Sequence, residues 1–351
     1  MNSIKQRLQT VFAPNPLRPL SLLKNCPVYQ ASPLHLMSDN CGTVLVKDER
    51  QRMGLGSFKA LGGVYAVAAL ISNRWQSRYG DTLAPEELTS ARVKDLAREL
   101  TFVCASAGNH GFAVAAGAQL FGAKARVHLS SKVPAEYNHL LTEKGATVVQ
   151  SGTDYEASMA AAMADAENEN AVLLSDSSWN GYSDIPSIVM EGYTVMAEEL
   201  RSVFAQQDAW PTHVFLQAGV GGLAAAMTYM IRTSWQEQPE VIIVEPTAAP
   251  CLRQSSEAGG AVTAIGPESN MGRLDCKDPS HIAVAVLAAS GVQYIEVSDQ
   301  AADDAVSALD VLGYPTTPSG AAGYAGLQEW CRENESIPNL RPLIILGEAA
   351  L

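Results

Sequence analysis

One lysine and two glycine turns carry most of the chemistry legible in this chain. Lys59 lies in Asp48-Glu49-Arg50-Gln51-Arg52-Met53-Gly54-Leu55-Gly56-Ser57-Phe58-Lys59-Ala60-Leu61-Gly62-Gly63. A strand-like run, Thr43-Val44-Leu45-Val46, leads in, followed by a charged, glycine-bearing loop. Ser57 is placed to cap a helix that starts near Lys59. A helix N-terminus favours anions, so an ammonium sits badly there. That positive end and a desolvating pocket would both lower the amine pKa. A neutral amine is what covalent carbonyl chemistry at a lysine requires. Alone, Ser57-Phe58-Lys59 describes a surface lysine better than a reactive one; two motifs downstream reverse that.

The first is Ser106-Ala107-Gly108-Asn109-His110-Gly111, between a strand-like run and a helix-like one. Ligands bind beyond the carboxyl ends of parallel strands. Exposed N–H groups at such a turn suit a carboxylate, and Asn109 could hydrogen-bond a ring hydroxyl. An Asn-capped structural turn fits the same residues, and His110 in such a turn more often packs than catalyses. The second is Gln217-Ala218-Gly219-Val220-Gly221-Gly222-Leu223, whose successive N–H groups would form a nest for phosphate. It also approximates a dinucleotide fingerprint, with Glu245 about twenty residues on. A dinucleotide domain would normally open its own alternating unit, and this turn lies mid-chain.

Around these motifs the chain alternates. Strand-like segments are 101–105, 125–129, 146–150, 171–174, 213–217, 241–244, 294–297 and 343–346. Helical segments are 62–75, 90–100, 111–121, 134–144, 154–168, 188–204, 223–235, 299–312 and 319–331. That order predicts an α/β fold with parallel sheets. Residues 1–42 look like an irregular, Pro-rich arm, 77–87 a loop and 248–281 a less regular stretch. Two lobes are expected: residues 1–96 with 186–351, and residues 97–185.

At 351 residues the chain can bury substantial cores, and 47% hydrophobic residues describe a globular protein. A net charge of -13 argues against nucleic acid or an acidic membrane as partner. Six cysteines without metal-type spacing point to reduced thiols. With no apolar signal segment and no run of transmembrane length, a cytoplasmic protein is expected.

A lysine, then a Ser-x-Gly-Asn-His turn, then a glycine turn: this combination resembles the fold type II pyridoxal-phosphate enzymes. Within them the chain is most similar to the diaminopropionate ammonia-lyases. The likeness runs through Val46-Lys47-Asp48-Glu49, Phe58 to Gly63, Asp176-Ser177-Ser178-Trp179-Asn180-Gly181-Tyr182, Ile185-Pro186, Met190-Glu191-Gly192-Tyr193 and Gln217 to Gly221. The resemblance implies two lobes, each with a mostly parallel sheet flanked by helices, and pyridoxal 5'-phosphate as cofactor. It implies that Lys59 carries the cofactor and acts as base, and that Asn109 contacts its phenolic oxygen. Gly219, Val220, Gly221 and Gly222 would cradle the phosphate; Ser106, Gly108 and His110 would line the substrate carboxylate site. The implied partner is a small amino acid, and the implied assembly a homodimer.

The departures shape the expectation. The diaminopropionate lyases carry an Asp, the base serving the D-isomer, where this chain has Ala107. Elimination from the L form without racemisation is therefore expected. Asp176 matches a second family carboxylate and is the candidate to hold a leaving β-ammonium. Where the family places Ser, Cys or Thr against the pyridine nitrogen, this chain has Leu346-Gly347-Glu348, so Glu348 is the candidate there. Glu245 is followed by Cys251, not Asp, at the spacing of racemase metal sites, so no such metal site is expected. The expected reaction is α,β-elimination from a 2,3-diaminopropionate-like L-amino acid to a 2-oxo acid and ammonia. The alternatives are a serine, threonine or 3-hydroxyaspartate dehydratase, a non-catalytic cofactor binder, and a nicotinamide oxidoreductase.

Overall fold

The computed structural model describes residues 2–168, 170–334 and 338–350. From the N-terminus, α1 (Asn2–Val11) and α2 (Leu17–Lys24) lead into the hairpin β1 (Leu34–Asp39) and β2 (Gly42–Asp48). Next come α3 (Lys59–Tyr79) and α4 (Ala91–Ala97). An alternating run follows: β3 (Thr101–Cys104), α5 (Asn109–Phe121), β4 (Lys124–Leu129), α6 (Ala135–Glu143), β5 (Ala146–Gln150), α7 (Tyr155–Asp165) and β6 (Ala171–Leu173). The long α8 (Asp184–Gln207) leads to β7 (His213–Gln217), α9 (Gly222–Ser234) and β8 (Glu240–Pro246). Then come α10 (Cys251–Ala258), α11 (His281–Ala288), β9 (Gln293–Val297), α12 (Asp299–Val311), α13 (Pro318–Glu333) and β10 (Pro342–Leu346).

Two sheets result. The larger has the order β1-β2-β10-β7-β8-β9, parallel except for the β1–β2 hairpin. The smaller, β5-β4-β3-β6, is parallel throughout. Along β7 and β10 every residue is buried, as a parallel sheet covered on both faces demands. Side chains alternate between faces: Val214, Leu216, Leu343 and Ile345 join the main core, while Phe215 and Ile344 join a second core with Ala321, Ala325 and Leu309.

Helix α3 packs against α5 on one side and α8 on the other, so it touches the helices of both sheets. Its apolar residues, from Ala60 to Ala69, are buried almost without interruption. Such contact needs small side chains. A Cβ on Gly63 would lie 2.6 Å from the Ala113 Cβ of α5, and one on Gly192 of α8 would lie 2.5 Å from the Leu61 carbonyl oxygen.

Three expectations change. Residues 1–42 are not an irregular arm: they hold α1, α2 and β1. Proline misleads there, because Pro16 occupies the N-cap of α2 and Pro19 its first turn, where an N–H has no helical partner anyway. The 77–87 loop starts later, since α3 runs on to Tyr79 and ends at Gly80 with φ 79°. The 248–281 stretch contains α10, whose first-turn N–H groups are capped by a distant carboxylate: Leu252 and Arg253 each donate to Glu245 at 2.8 Å.

Gly192→Ala should lose about 1–3 kcal/mol through overpacking against the Leu61 carbonyl. The propensity gain of Ala over Gly, at most about 1 kcal/mol, does not offset it. The urea midpoint reads this directly; an unshifted midpoint would mean that α3 and α8 can separate without penalty.

Candidate functional site

The residues that could do chemistry all follow the carboxyl ends of parallel strands. Lys59 comes after β2, Ser106 to His110 after β3, Asp176 after β6, Gly219 to Gly222 after β7 and Glu348 after β10. Two sheets therefore turn the same kind of edge toward one another.

Lys59 is the first residue of α3, and its Nζ forms an ion pair with Asp176 Oδ2. Each side chain is 22% exposed. Burial disfavours the charged amine, yet Asp176 outweighs it and holds the Lys59 pKa well above the usual lysine range. Burial likewise opposes ionisation of Asp176, but Lys59, and after it His110, hold its carboxyl well below the usual range. The expected depression of the Lys59 pKa is thus reversed. The carboxylate is in direct contact, whereas a helix end contributes only partial charge.

Ser57 does not cap α3 either. Phe58 is the N-cap, without a side-chain cap, and Ser57 forms a β-bridge to Glu348. Phe58 N–H donates to the Gly347 carbonyl at 3.0 Å and Ala349 N–H to Gly56 at 2.9 Å. The residues after β10 are thereby zipped to the segment that carries Lys59.

Asp176 sits on a braced loop. The Ser178 hydroxyl lies 2.7 Å from that of Ser280 and accepts from Ile282 N–H at 2.9 Å. Ser280 N–H donates to the Val220 carbonyl at 2.9 Å, which ties this loop to the Gly219–Gly222 turn. Tyr182 donates its phenol to Leu173 O at 2.8 Å and stacks on Trp179 with centroids 4.4 Å apart.

On the other wall, Asn109 opens α5 and donates from Nδ2 to Glu348 Oε2. Glu348 is 5% exposed. Its Oε1 accepts from Arg273 Nη1 at 2.5 Å and from the Thr317 hydroxyl. His110 is buried, and its Nε2 lies 2.8 Å from the Leu174 carbonyl. Burial lowers its pKa, so the ring is neutral near pH 7. Ser106 packs its carbonyl where a Cβ on Gly111 would stand, at 2.1 Å.

The arrangement suits a flat ring with an anionic tail. Gly221 has φ 97° and is the N-cap of α9 with no side-chain cap, leaving first-turn N–H groups for an anion. A Cβ on Gly219 would lie 2.9 Å from Cys276 Sγ, so only glycine lets the turn approach. The buried polar atoms Ser57 Oγ, His110 Nδ1 and Gln217 Oε1 have no partner among the described residues. An uncapped helix start, orphaned polar atoms and an amine between the two walls fit pyridoxal phosphate.

Sequence reasoning overlooked Arg273, Cys276 and Thr317. The first two lie between α10 and α11, where no periodicity marks a buried face, and Thr317 precedes a helix-starting proline. Burial, then Asp176, pushes the Cys276 thiol up to about 11, so it is inert at neutral pH. Among the described residues no group of His, Cys, Asp or Glu is arranged to hold a metal ion.

Asp176→Asn should free the Lys59 amine of its proton at lower pH, because the largest charge opposing burial is then gone. In protein stripped of cofactor, an amine-directed acylating reagent at pH 8 should modify Lys59 faster in the variant than in the wild type. Equal rates would mean that Asp176 is not what keeps Lys59 charged.

Comparison with known proteins agrees with this geometry. The family model described as "Pyridoxal-phosphate dependent enzyme" matches residues 22–345. Diaminopropionate ammonia-lyase of Escherichia coli (strain K12) is 31% identical over 311 residues, covering 85% of this chain and 76% of that protein. Probable D-serine dehydratase of Burkholderia thailandensis is 28% identical over 326 residues, covering 88% and 72%. The crystal structure of the E. coli diaminopropionate ammonia lyase in complex with D-serine superposes with a TM-score of 0.82 at 28% identity, covering 97% of this chain and 90% of that one. A match over residues 22–345, with the lysine, the Asn turn and the glycine turn brought to one cleft, makes this chain a member of the pyridoxal-phosphate dependent enzyme family.

Proposed function

We propose that this protein is an ammonia-lyase that removes the β-amino group from a small L-amino acid of the 2,3-diaminopropionate type, giving a 2-oxo acid and ammonia. The observation that carries this reading is the Lys59–Asp176 ion pair beside the second glycine turn, where a Cβ on Gly222 would lie 3.7 Å from the Asp176 carbonyl.

Lys59 would hold the cofactor, Gly219, Val220, Gly221 and Gly222 its phosphate, and Asn109 its phenolic oxygen, with Glu348 toward the ring. Ser106, Gly108 and His110 would line the carboxylate site. When bound, pyridoxal phosphate supplies an electron sink for the charge left at the substrate Cα. Lys59, as the free amine, would take the α proton and hold it as an ammonium against Asp176. An amine departs only as ammonium, and Asp176, held ionised, stabilises a positive charge there. The released enamine hydrolyses to the 2-oxo acid and the second ammonia.

Ala107 carries a methyl group and no titratable group, so Lys59 is the single base we assign and the L-isomer the substrate. The same methyl group favours a second reading, elimination of water from a β-hydroxy amino acid. The relatives named probable D-serine dehydratase support that reading less strongly than the diaminopropionate lyases support ours.

We also propose two lobes, residues 1–96 with 186–351 and residues 97–185, each built on one of the two sheets. A homodimer in the cytoplasm completes the proposal. The apolar Leu17, Val28 and Leu36, exposed along the N-terminal segment, support a second copy. The six unpaired cysteines suit a reducing compartment.

A panel of L- and D-2,3-diaminopropionate, L- and D-serine, L-threonine and 3-hydroxyaspartate, assayed for ammonia and keto acid, tests the reading. L-2,3-diaminopropionate should give the highest kcat/KM and its D-isomer none. Keto acid from the hydroxy amino acids alone would replace our reading with the second. Asp176→Asn should lower kcat for the diamino substrate by roughly 100-fold. Borohydride reduction followed by peptide mapping should place the cofactor on Lys59, and label on another lysine would end that assignment.

A further inference from the structure

Arg273 spans the gap between the two glycine turns. Its carbonyl oxygen lies 3.2 Å from where a Cβ on Gly219 would stand, and its Nε lies 3.7 Å from the corresponding point on Gly108. Its backbone is pinned, with N–H donating to the Ser319 hydroxyl at 3.2 Å. The side chain is 25% exposed.

Two ways of meeting a carboxylate occur in this protein, a fork and a contact through Nη1 alone, the latter also at Arg98, Arg126 and Arg332. Arg50, Arg52 and Arg201 each grip a carboxylate with the Nε and Nη2 edge, on Asp48, Glu49 and Glu198 respectively. That two-point fork is the strong way for arginine to hold a carboxylate. Arg273 touches Glu348 through Nη1 alone. Glu348 meanwhile is satisfied on both oxygens, by Thr317 and Asn109 as well as by Arg273. Among the described residues, Arg273 Nε and Nη2 have no partner. The edge built for a second carboxylate is therefore open, and it lies against Gly108. A Cβ at that position would meet it at ordinary van der Waals distance. The neighbouring His110 adds a buried Nδ1 without a partner, and α5 begins there with no side-chain cap.

We propose that the Nε and Nη2 edge of Arg273 receives a carboxylate of the bound amino acid and presses it against the 106–110 loop. The role rests on the ammonia-lyase reading for the identity of that amino acid, but not for the carboxylate chemistry. Two sources share that chemistry: the α-carboxylate of any substrate, and a second carboxylate such as that of 3-hydroxyaspartate. Arg273 would then set KM and the choice of substrate, with little effect on the proton transfers at Lys59.

The test uses the holoenzyme as wild type, Arg273→Gln, Arg273→Lys and the double variant Arg273→Gln/Glu348→Gln. Binding of acetate, succinate and acetamide is measured by calorimetry, and KM and kcat with 2,3-diaminopropionate and 3-hydroxyaspartate. We expect Arg273→Gln to weaken carboxylate binding and raise KM roughly tenfold or more. Acetamide should be unaffected, kcat little changed, and Arg273→Lys intermediate. Equal losses for acetate and succinate, and for both substrates, identify the α-carboxylate. Losses confined to succinate and 3-hydroxyaspartate identify a second carboxylate. The proposal is overturned if wild type binds neither carboxylate, if Arg273→Gln binds them as wild type does, or if the double variant regains wild-type affinity. That last result would make Arg273 only the counter-ion of Glu348. Carboxylate binding through Arg273 in a protein that deaminates nothing would overturn the ammonia-lyase reading and leave this one standing.

Discussion

The contact between Lys59 and Asp176 governs this molecule. It joins residues 117 apart in the chain, one at the start of α3 and one beyond β6. Stability alone does not account for it. Taking two ions out of water costs several kcal/mol each, and an apolar pair of similar volume is often as stable. What the pair does achieve is electrostatic. Each partner holds the other charged in a cleft that would neutralise either one alone. Such a pair survives only if both backbones are fixed to within a fraction of an ångström.

The scaffold supplies that fixity from two directions. On the lysine side, Lys47, Glu49, Arg52 and Glu199 form a buried, charge-balanced cluster. Lys47 reaches Glu199 at 2.6 Å, and Arg52 grips Glu49 in a fork while touching Glu199 at 2.8 Å. Glu199 belongs to α8, so the cluster rivets the segment leading to Lys59 onto the long helix beneath it. Removing one member would strand a buried charge, at a cost of about 3–5 kcal/mol. The cluster also explains how Met53 is held at φ 53°, a conformation that costs a non-glycine residue about 1–3 kcal/mol. On the aspartate side, the Ser178–Ser280 contact and the Trp179–Tyr182 stack do the equivalent work.

The sequence announced the parallel strands of both sheets because these are short apolar runs, and Leu343 to Leu346 or Val241 to Val244 can hardly be anything else; the antiparallel edge strand β1 it missed. It announced the two glycine turns because Gly111, Gly219 and Gly221 leave no room for a Cβ. It hid what depends on pairing across long distances. Lys59 in isolation is an amine at a helix start, and local physics lowers its pKa. Only the fold brings up Asp176 and reverses the sign. Arg273 was invisible for a related reason: a single basic residue in an aperiodic loop has no signature until its neighbours are known. The helix α2 was masked by prolines, whose helix-breaking effect does not apply in a first turn.

The charge pattern of the cleft then follows. Lys59 with Asp176, and Arg273 with Glu348, are two ion pairs facing one space. Both pairs are neutral overall, and His110 between the walls is uncharged. The remaining positive potential comes from the uncapped starts of α5 and α9 and from the open edge of Arg273. Each is suited to an anion, and each is held on a different element. A protein with net charge -13 must build such a field locally, since its global field repels anions. Placing the starts of α5 and α9 beyond the carboxyl ends of β3 and β7, with the Arg273 edge brought up from the loop between α10 and α11, makes one small volume attractive to an anionic ligand.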